Sequence, residues 1–336
     1  MRLRVLTLLV VTAGFTSLFA QGPAPQGAAR VVKLDPALDT IVAETAMVEK
    51  VAGGFGFVEG PVWTRDGALL FSDLPANAIM KLIPGGQASV FVTPAGYTGT
   101  ETRPAGSHIG SNGLTIDRQG RLIIAEHGDR RISRIEADGK RVIIADKYDG
   151  KRLNSPNDVV VRSDGRLYFT DPPYGLPQQA KDPGKEIPFS GIYRLADGKV
   201  QVLAQDLAFP NGLGFSPDEK LLYVASSEQS RRLWMRYEVK SDGTLGAGTV
   251  FYDANAEAGR GIPDGLKLDA AGNLFGTGPG GVMIISPAGK LLGRIEVPEQ
   301  PANVAWGDDG KTLYITARSS VYRVKVLAGG KRPCCP

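Results

Sequence analysis

Six copies of one strand–turn–strand unit, turn residues at a fixed step, and no helical periodicity after the N-terminus predict an all-β fold. It is a six-bladed β-propeller with four-stranded antiparallel blades around a central channel. The unit is clearest in residues 155–171. Asn157 opens a β-branched run, Ser163-Asp164-Gly165 has the chemistry of a tight hairpin turn, and the run from Leu167 to Thr170 returns antiparallel. Aligning the copies brings the polar residues Glu59, Asn112, Asn157, Asn211 and Asp264 to one register, with Ala302 in the sixth copy. Eight residues beyond each opener stand Gly67, Gly120, Gly165, Glu219, Gly272 and Gly310. The openers recur at intervals of 38 to 54 residues, the spacing of a four-stranded blade. One blade cannot bury both of its apolar faces, so the six copies predict one ring and not separate domains.

Taken in order, residues 1–20 read as a secretory signal: Arg2 and Arg4, an apolar run from Val5 to Val11, then small residues up to Ala20. The run is too short to span a bilayer. The expectation is a periplasmic or secreted protein with no stable membrane association after cleavage. Residues 21–45, rich in Pro, Ala and Gly at first, read as a linker and approach segment. Residues 46–327 form the propeller and residues 328–336 a C-terminal tail. Residues 47–52 alternate as a strand before the first copy, which predicts that they pair beside residues 321–324 and close the ring. Third strands are legible at residues 78–82, 131–135, 191–195, 233–237, 282–285 and 321–324. Two connections are unusually long, residues 94–111 between blades one and two and residues 172–190 inside blade three. Both fall on the face where the inner strands begin; loops of that length are usually functional or disordered, and the expectation is that both cover the channel mouth holding the openers.

Composition narrows the function. The 336 residues carry a formal charge of +4; removing Arg2 and Arg4 leaves 37 basic against 35 acidic residues. No basic cluster is interleaved with aromatics, so nucleic acid is not expected as a partner. The two cysteines, Cys334 and Cys335, are adjacent at the C-terminus and cannot staple the domain. There is no Gly-x-Ser-x-Gly elbow, and His108 and His127 are the chain's only histidines, so a serine-hydrolase reading is poorly supported.

The openers start the innermost strands and so converge on the axis. Glu59, Asn157, Asn211 and Asp264 offer two carboxylates and two amide oxygens. That set of hard donors suits Ca²⁺ better than Zn²⁺, with Mg²⁺ or Mn²⁺ as substitutes. The alternative is that these side chains cap the inner strands by bonding turn backbone. The second strands end on the same face with Asp73, Glu126 and Asp171 at equivalent positions. His127 follows Glu126 as a rim residue or substrate contact.

At these residues the chain resembles the gluconolactonase/senescence-marker-protein (regucalcin) family, and bacterial gluconolactonases more than the animal proteins. The motifs are Glu59-Gly60-Pro61-Val62-Trp63, Leu69-Leu70-Phe71-Ser72-Asp73, Ser111-Asn112-Gly113-Leu114, Glu126-His127-Gly128, Leu153-Asn154-Ser155-Pro156-Asn157-Asp158, Tyr168-Phe169-Thr170-Asp171-Pro172-Pro173-Tyr174-Gly175, Pro210-Asn211-Gly212-Leu213 and Pro263-Asp264-Gly265. The resemblance implies one catalytic divalent metal, usually calcium (Zn²⁺ being another substitute), held by Glu59, Asn157, Asn211 and Asp264. It also implies that Asp264 is the general base or nucleophile and that Asn112 lies near the substrate. Glu126 and His127 at the mouth are further substrate-binding candidates. Ala302 departs from the polar ring, and Asn303 beside it is expected to face the channel. The expectation is a metal-dependent hydrolase opening a sugar lactone such as glucono-1,5-lactone. The rivals are hydrolysis of other lactones or phosphotriesters, and a non-enzymatic metal-binding propeller.

Overall fold

A computed structural model describes residues 29–101 and 106–333. The expected signal segment, residues 102–105, Cys334 and Cys335 lie outside the described residues. Among those described, the strands form a small two-stranded sheet, Lys147–Tyr148 with Lys151–Arg152, and six antiparallel blade sheets whose innermost strands abut in sequence order around a ring. From the axis outward, blade one is Val58–Trp63, Leu69–Asp73, Ala78–Leu82 and Ser89–Val92, and blade two is Ser111–Ile116, Leu122–Glu126, Arg131–Ile135 and Arg141–Ala145. Blade three is Val159–Val161, Leu167–Asp171, Gly191–Ala196 and Lys199–Ala204. Blade four is Pro210–Phe215, Leu221–Glu228, Arg231–Glu238 and Thr249–Asp253. Blade five begins Leu266–Leu268, Leu274–Gly278, Gly281–Ile285 and Leu291–Glu296, and blade six is Pro301–Gly307, Thr312–Ala317 and Ser320–Lys325.

The ring closes as the leftover strand predicts. Val48–Gly53 is the outer strand of blade six, with Val48 opposite Val324 and Lys50 opposite Tyr322. The turn register also holds. The residue eight positions past each opener has a left-handed backbone, from φ 57° at Glu219 to 89° at Gly165. Glu219 alone of the six is not glycine. Its carboxylate accepts from the Ser163 backbone N–H at 2.9 Å and so ties the turn of blade four to that of blade three. The core is a series of layers between neighbouring blades. Trp63 of blade one stacks on Tyr314 of blade six with ring centroids 5.4 Å apart, and Phe275 of blade five meets Trp306 of blade six edge-on.

Two terminal segments depart from the sequence reading. Arg30–Lys33, expected as linker, is a fifth strand on the outer edge of blade five, pairing with Leu291–Glu296. Gly293 permits this: a β-carbon there would sit 2.5 Å from the Val32 carbonyl oxygen. The start of the C-terminal tail is docked on the lower face, where the Ala270 N–H donates to Gly329 O and the Gly330 N–H to Gly310 O.

The two long loops lie together on the upper face, where the inner strands begin. A cavity of about 580 Å³ lies between them, lined by Tyr97 and Thr98 from one and by Gly175 and Leu176 from the other. A second cavity, of about 600 Å³, opens at the lower end of the channel among Val62, Leu114, Val161, Phe215 and Leu268. None of the openers lines that lower cavity.

Candidate active site

The openers form a closed ring because the backbone after each one is stripped of bulk. In blades one, two, four and five the next residue is glycine. A β-carbon on Gly60 would fall 1.9 Å from Asn112 O, on Gly113 2.7 Å from Asn157 O, and on Gly212 2.4 Å from Asp264 O; on Gly265 it would fall 2.0 Å from Asn303 Cγ. Side-chain hydroxyls of the second strands then hold the neighbouring blade. Ser72 Oγ donates to Asn112 O, Thr170 Oγ1 to Asn211 O, and Thr277 Oγ1 to Ala302 O, at 2.8, 2.8 and 2.9 Å. The ring backbone is therefore pinned from both sides before any ligand arrives, and its side chains are preorganised.

Glu59, Asn112, Asn157 and Asn211 are all buried. Glu59 Oε2 accepts from the Gly60 N–H at 2.8 Å and from Asn303 Nδ2 at 3.0 Å. Asn211 donates its Nδ2 to Ser227 Oγ at 2.9 Å, which leaves its amide oxygen as the free end. Burial pushes the Glu59 carboxyl up to about 7, with the charge of Asp158 adding to the effect. Asp264 is held well above the ordinary carboxylate range, first by burial and then by the charges of Glu59 and Asp158. Lys267 is the cation that acts on Glu59, but its ammonium is bonded to the Leu266 carbonyl at 2.9 Å.

Blades three and six break the glycine rule, and both replacements reach into the ring. Asn303 bonds Glu59, which bears out its expected place at the channel. Asp158 was not among the candidates from sequence. It is buried, its carboxylate accepts from its own blade's Val159 N–H at 2.9 Å, and its charge acts on both Glu59 and Asp264. The signal was present in the alignment: four openers precede glycine, whereas Asn157 precedes an aspartate.

Asn112 takes its place in the ring, with its Nδ2 3.2 Å from His127 Nε2. The other ring nitrogen of His127 lies 3.3 Å from His108 O. Burial holds His127 down to about 3, so the imidazole is neutral at physiological pH, with Nδ1–H donating to His108 O and Nε2 accepting from Asn112. Both nitrogens are engaged, and His127 orients Asn112 where a direct substrate contact was expected. His108 stacks on Phe57 at 4.8 Å.

The substrate contact expected of Glu126 is corrected. Its carboxylate is fully buried, accepts from Ser133 Oγ and pairs with Arg131 Nε at 2.6 Å and Arg141 Nη1 at 3.6 Å. The equivalent Asp171 accepts from the Asn154 and Ser155 N–H groups at 2.7 and 2.8 Å, and Asp73 from the Gly56 N–H at 3.1 Å. In blades one and three these carboxylates latch the chain just before the openers Glu59 and Asn157.

Tyr174, from the loop of residues 172–190, also reaches this centre. Its ring stacks on Phe209 at 5.7 Å, and its hydroxyl lies beside Asn211, Ser227 and Asp264. Among the described residues that hydroxyl is buried and has no hydrogen-bond partner.

The donor set at the axis is carboxylate and amide oxygen. No group of three or more His, Cys, Asp or Glu side chains among the described residues forms a conventional metal cluster. The fit to a hard cation rests on chemistry: among the described residues these carboxylates raise one another's proton affinity with no cationic side chain in a salt bridge to them, and Asn211 donates through its Nδ2 and so leaves its oxygen to accept. Such a ring suits a divalent oxygen-loving cation.

The molecule is a six-bladed propeller with an acidic, amide-rich ring at one mouth. The chain belongs to the SMP-30/Gluconolactonase/LRE-like family, whose profile matches residues 57–319. It is 38% identical over 313 residues to the gluconolactonase of Zymomonas mobilis, covering 90% of this chain and 87% of the relative. It is 30% identical to the 6-deoxy-6-sulfogluconolactonase of Pseudomonas putida, covering 77% of this chain and 82% of that one. The solved structure of XC5397 from Xanthomonas campestris, described as a gluconolactonase, matches with a TM-score of 0.77 and 30% identity, covering 90% of this chain and 98% of that one.

Proposed function

We propose that the protein hydrolyses a sugar lactone of the glucono-1,5-lactone type to its aldonic acid. The observation that carries the reading is the convergence of the buried Glu59 and the half-buried Asp264, two carboxylates that act on each other, with the amides of Asn157 and Asn211 on one ring. Those four residues are proposed to hold one divalent cation, calcium first, with Asp158 adding negative charge behind them. A cation bound there would polarise the lactone carbonyl and stabilise the oxyanion.

The chain's own groups do the rest. Asp264 removes a proton from water as the water oxygen bonds the lactone carbonyl carbon; the tetrahedral adduct then collapses with cleavage of the ring C–O bond, and the departing oxygen takes that proton back from Asp264. Asn112, oriented by His127, bonds a sugar hydroxyl. The two upper loops limit the access of bulk water. Residues 1–20 support export to the periplasm or the medium.

A lactone panel assayed with chelated and calcium-replete protein tests the reading. Calcium-dependent turnover of glucono-1,5-lactone is the expected result. Absence of turnover on every sugar lactone despite bound calcium would overturn it.

A further inference from the structure

Resting on the lactonase reading, we infer that Tyr174 is a specificity-determining residue whose hydroxyl donates a hydrogen bond to one oxygen substituent of the sugar lactone. A buried hydroxyl without a partner costs about 1–3 kcal/mol, so its persistence calls for an acceptor that arrives with a ligand. The Tyr174 hydroxyl is buried and unpartnered, and it is the orphan that lies beside the ring residues Asn211 and Asp264. Ser227 Oγ donates to Pro263 O at 2.6 Å and accepts from Asn211 Nδ2 at 2.9 Å, and the phenol makes no hydrogen bond to either neighbour.

The ring of Tyr174 is also held rigidly enough to discriminate. It stacks on Phe209 at an interplanar angle of 26°, two residues before Asn211. The next residue is clamped from two directions. The Gly175 N–H donates to Ser155 Oγ at 2.8 Å, and Ser155 Oγ in turn donates to Pro172 O at 2.6 Å. A β-carbon on Gly175 would lie 2.7 Å from His127 Cβ, so the backbone here packs directly on the residue that orients Asn112. The base of the loop is therefore built into the wall of the site. A fixed donor in a buried position donates to a substrate oxygen and penalises an analogue that lacks it, because the donor is then left unpaired.

The test is kcat/KM for wild type and Tyr174→Phe on glucono-1,5-lactone and its monodeoxy analogues. Wild type should lose about 10–100-fold on one deoxy-lactone. Tyr174→Phe should lose about the same on the parent lactone and show no further loss on that analogue. Its melting temperature should match or exceed that of wild type, since the change removes an unpaired buried hydroxyl. A uniform loss on every lactone, or no loss on the parent, would overturn the assignment while leaving the lactonase reading intact. Failure of wild type on the parent lactone and all analogues would remove both.

Discussion

Two sets of carboxylates stand at the same end of this propeller and differ in what surrounds them. Asp73, Glu126 and Asp171, at the ends of the second strands, are each met by donors: backbone N–H groups for the two aspartates, two guanidinium groups and a hydroxyl for the glutamate. Glu59 and Asp264, at the axis, are met by amides and by other carboxylates. Residue type and face are shared. The partners separate a latch, which finishes its hydrogen bonding within the fold, from a site that needs something from outside.

The largest expected break between the sets is in turnover. Asp264→Asn keeps one oxygen for a cation and removes the base, so kcat should fall by at least ~10²-fold with a much smaller change in calcium affinity. Steady-state kinetics at saturating calcium check this; a near-normal kcat would strip Asp264 of its role. Glu59→Gln should weaken calcium binding by an order of magnitude or more, in line with a lost charged ligand. It should also change the pH profile of stability. In the cation-free fold Glu59 titrates near 7, against 4.5 for the free side chain. Between those values the native state holds a proton that the unfolded chain has released, so this contribution to stability falls as pH rises through the window. His127, held down to about 3, acts in the opposite direction, losing stability as pH falls below 6.5. The difference between wild type and Glu59→Gln isolates the Glu59 term, and calcium should abolish its fall.

Changing a latch should act differently. Asp171→Ala leaves the Asn154 and Ser155 N–H groups without their acceptor, a loss of about 1–3 kcal/mol of stability seen by denaturant titration. Calcium affinity of the fraction that remains folded should be unchanged. A variant that keeps its stability and loses calcium would make Asp171 part of the site. The smallest effect belongs to Asn112→Ala, which should raise KM several-fold more than it lowers kcat. His127→Phe should reproduce that pattern, because the histidine acts through Asn112.

Much of this was legible in the sequence because propeller repeats force register. The turn step from opener to left-handed residue holds in all six blades, even where Glu219 replaces glycine, and the strand before the first copy closes the ring. Edge pairing was not legible: Arg30–Lys33 has only four residues of pattern, and its strand character comes from the open edge of blade five. Register places a side chain at the mouth without revealing its partners. Glu126 could be assigned to the upper face, but Arg131 and Arg141 reach it only once neighbouring strands pair. Asp158 follows its opener at a position where four of the six copies carry glycine, so its side chain enters the ring at a place the opener register does not mark. Tyr174 sits in a loop with no period to place it.

Whether a cation completes the axial carboxylates can be read from calorimetric titration of calcium into chelator-stripped protein near pH 7, repeated in buffers of different ionisation enthalpy. One ion per chain should bind, with proton release because Glu59 and Asp264 hold protons until the charge arrives, and both signals should be lost in Glu59→Gln. Calcium binding without proton release, or with undiminished affinity in Glu59→Gln, would contradict that expectation.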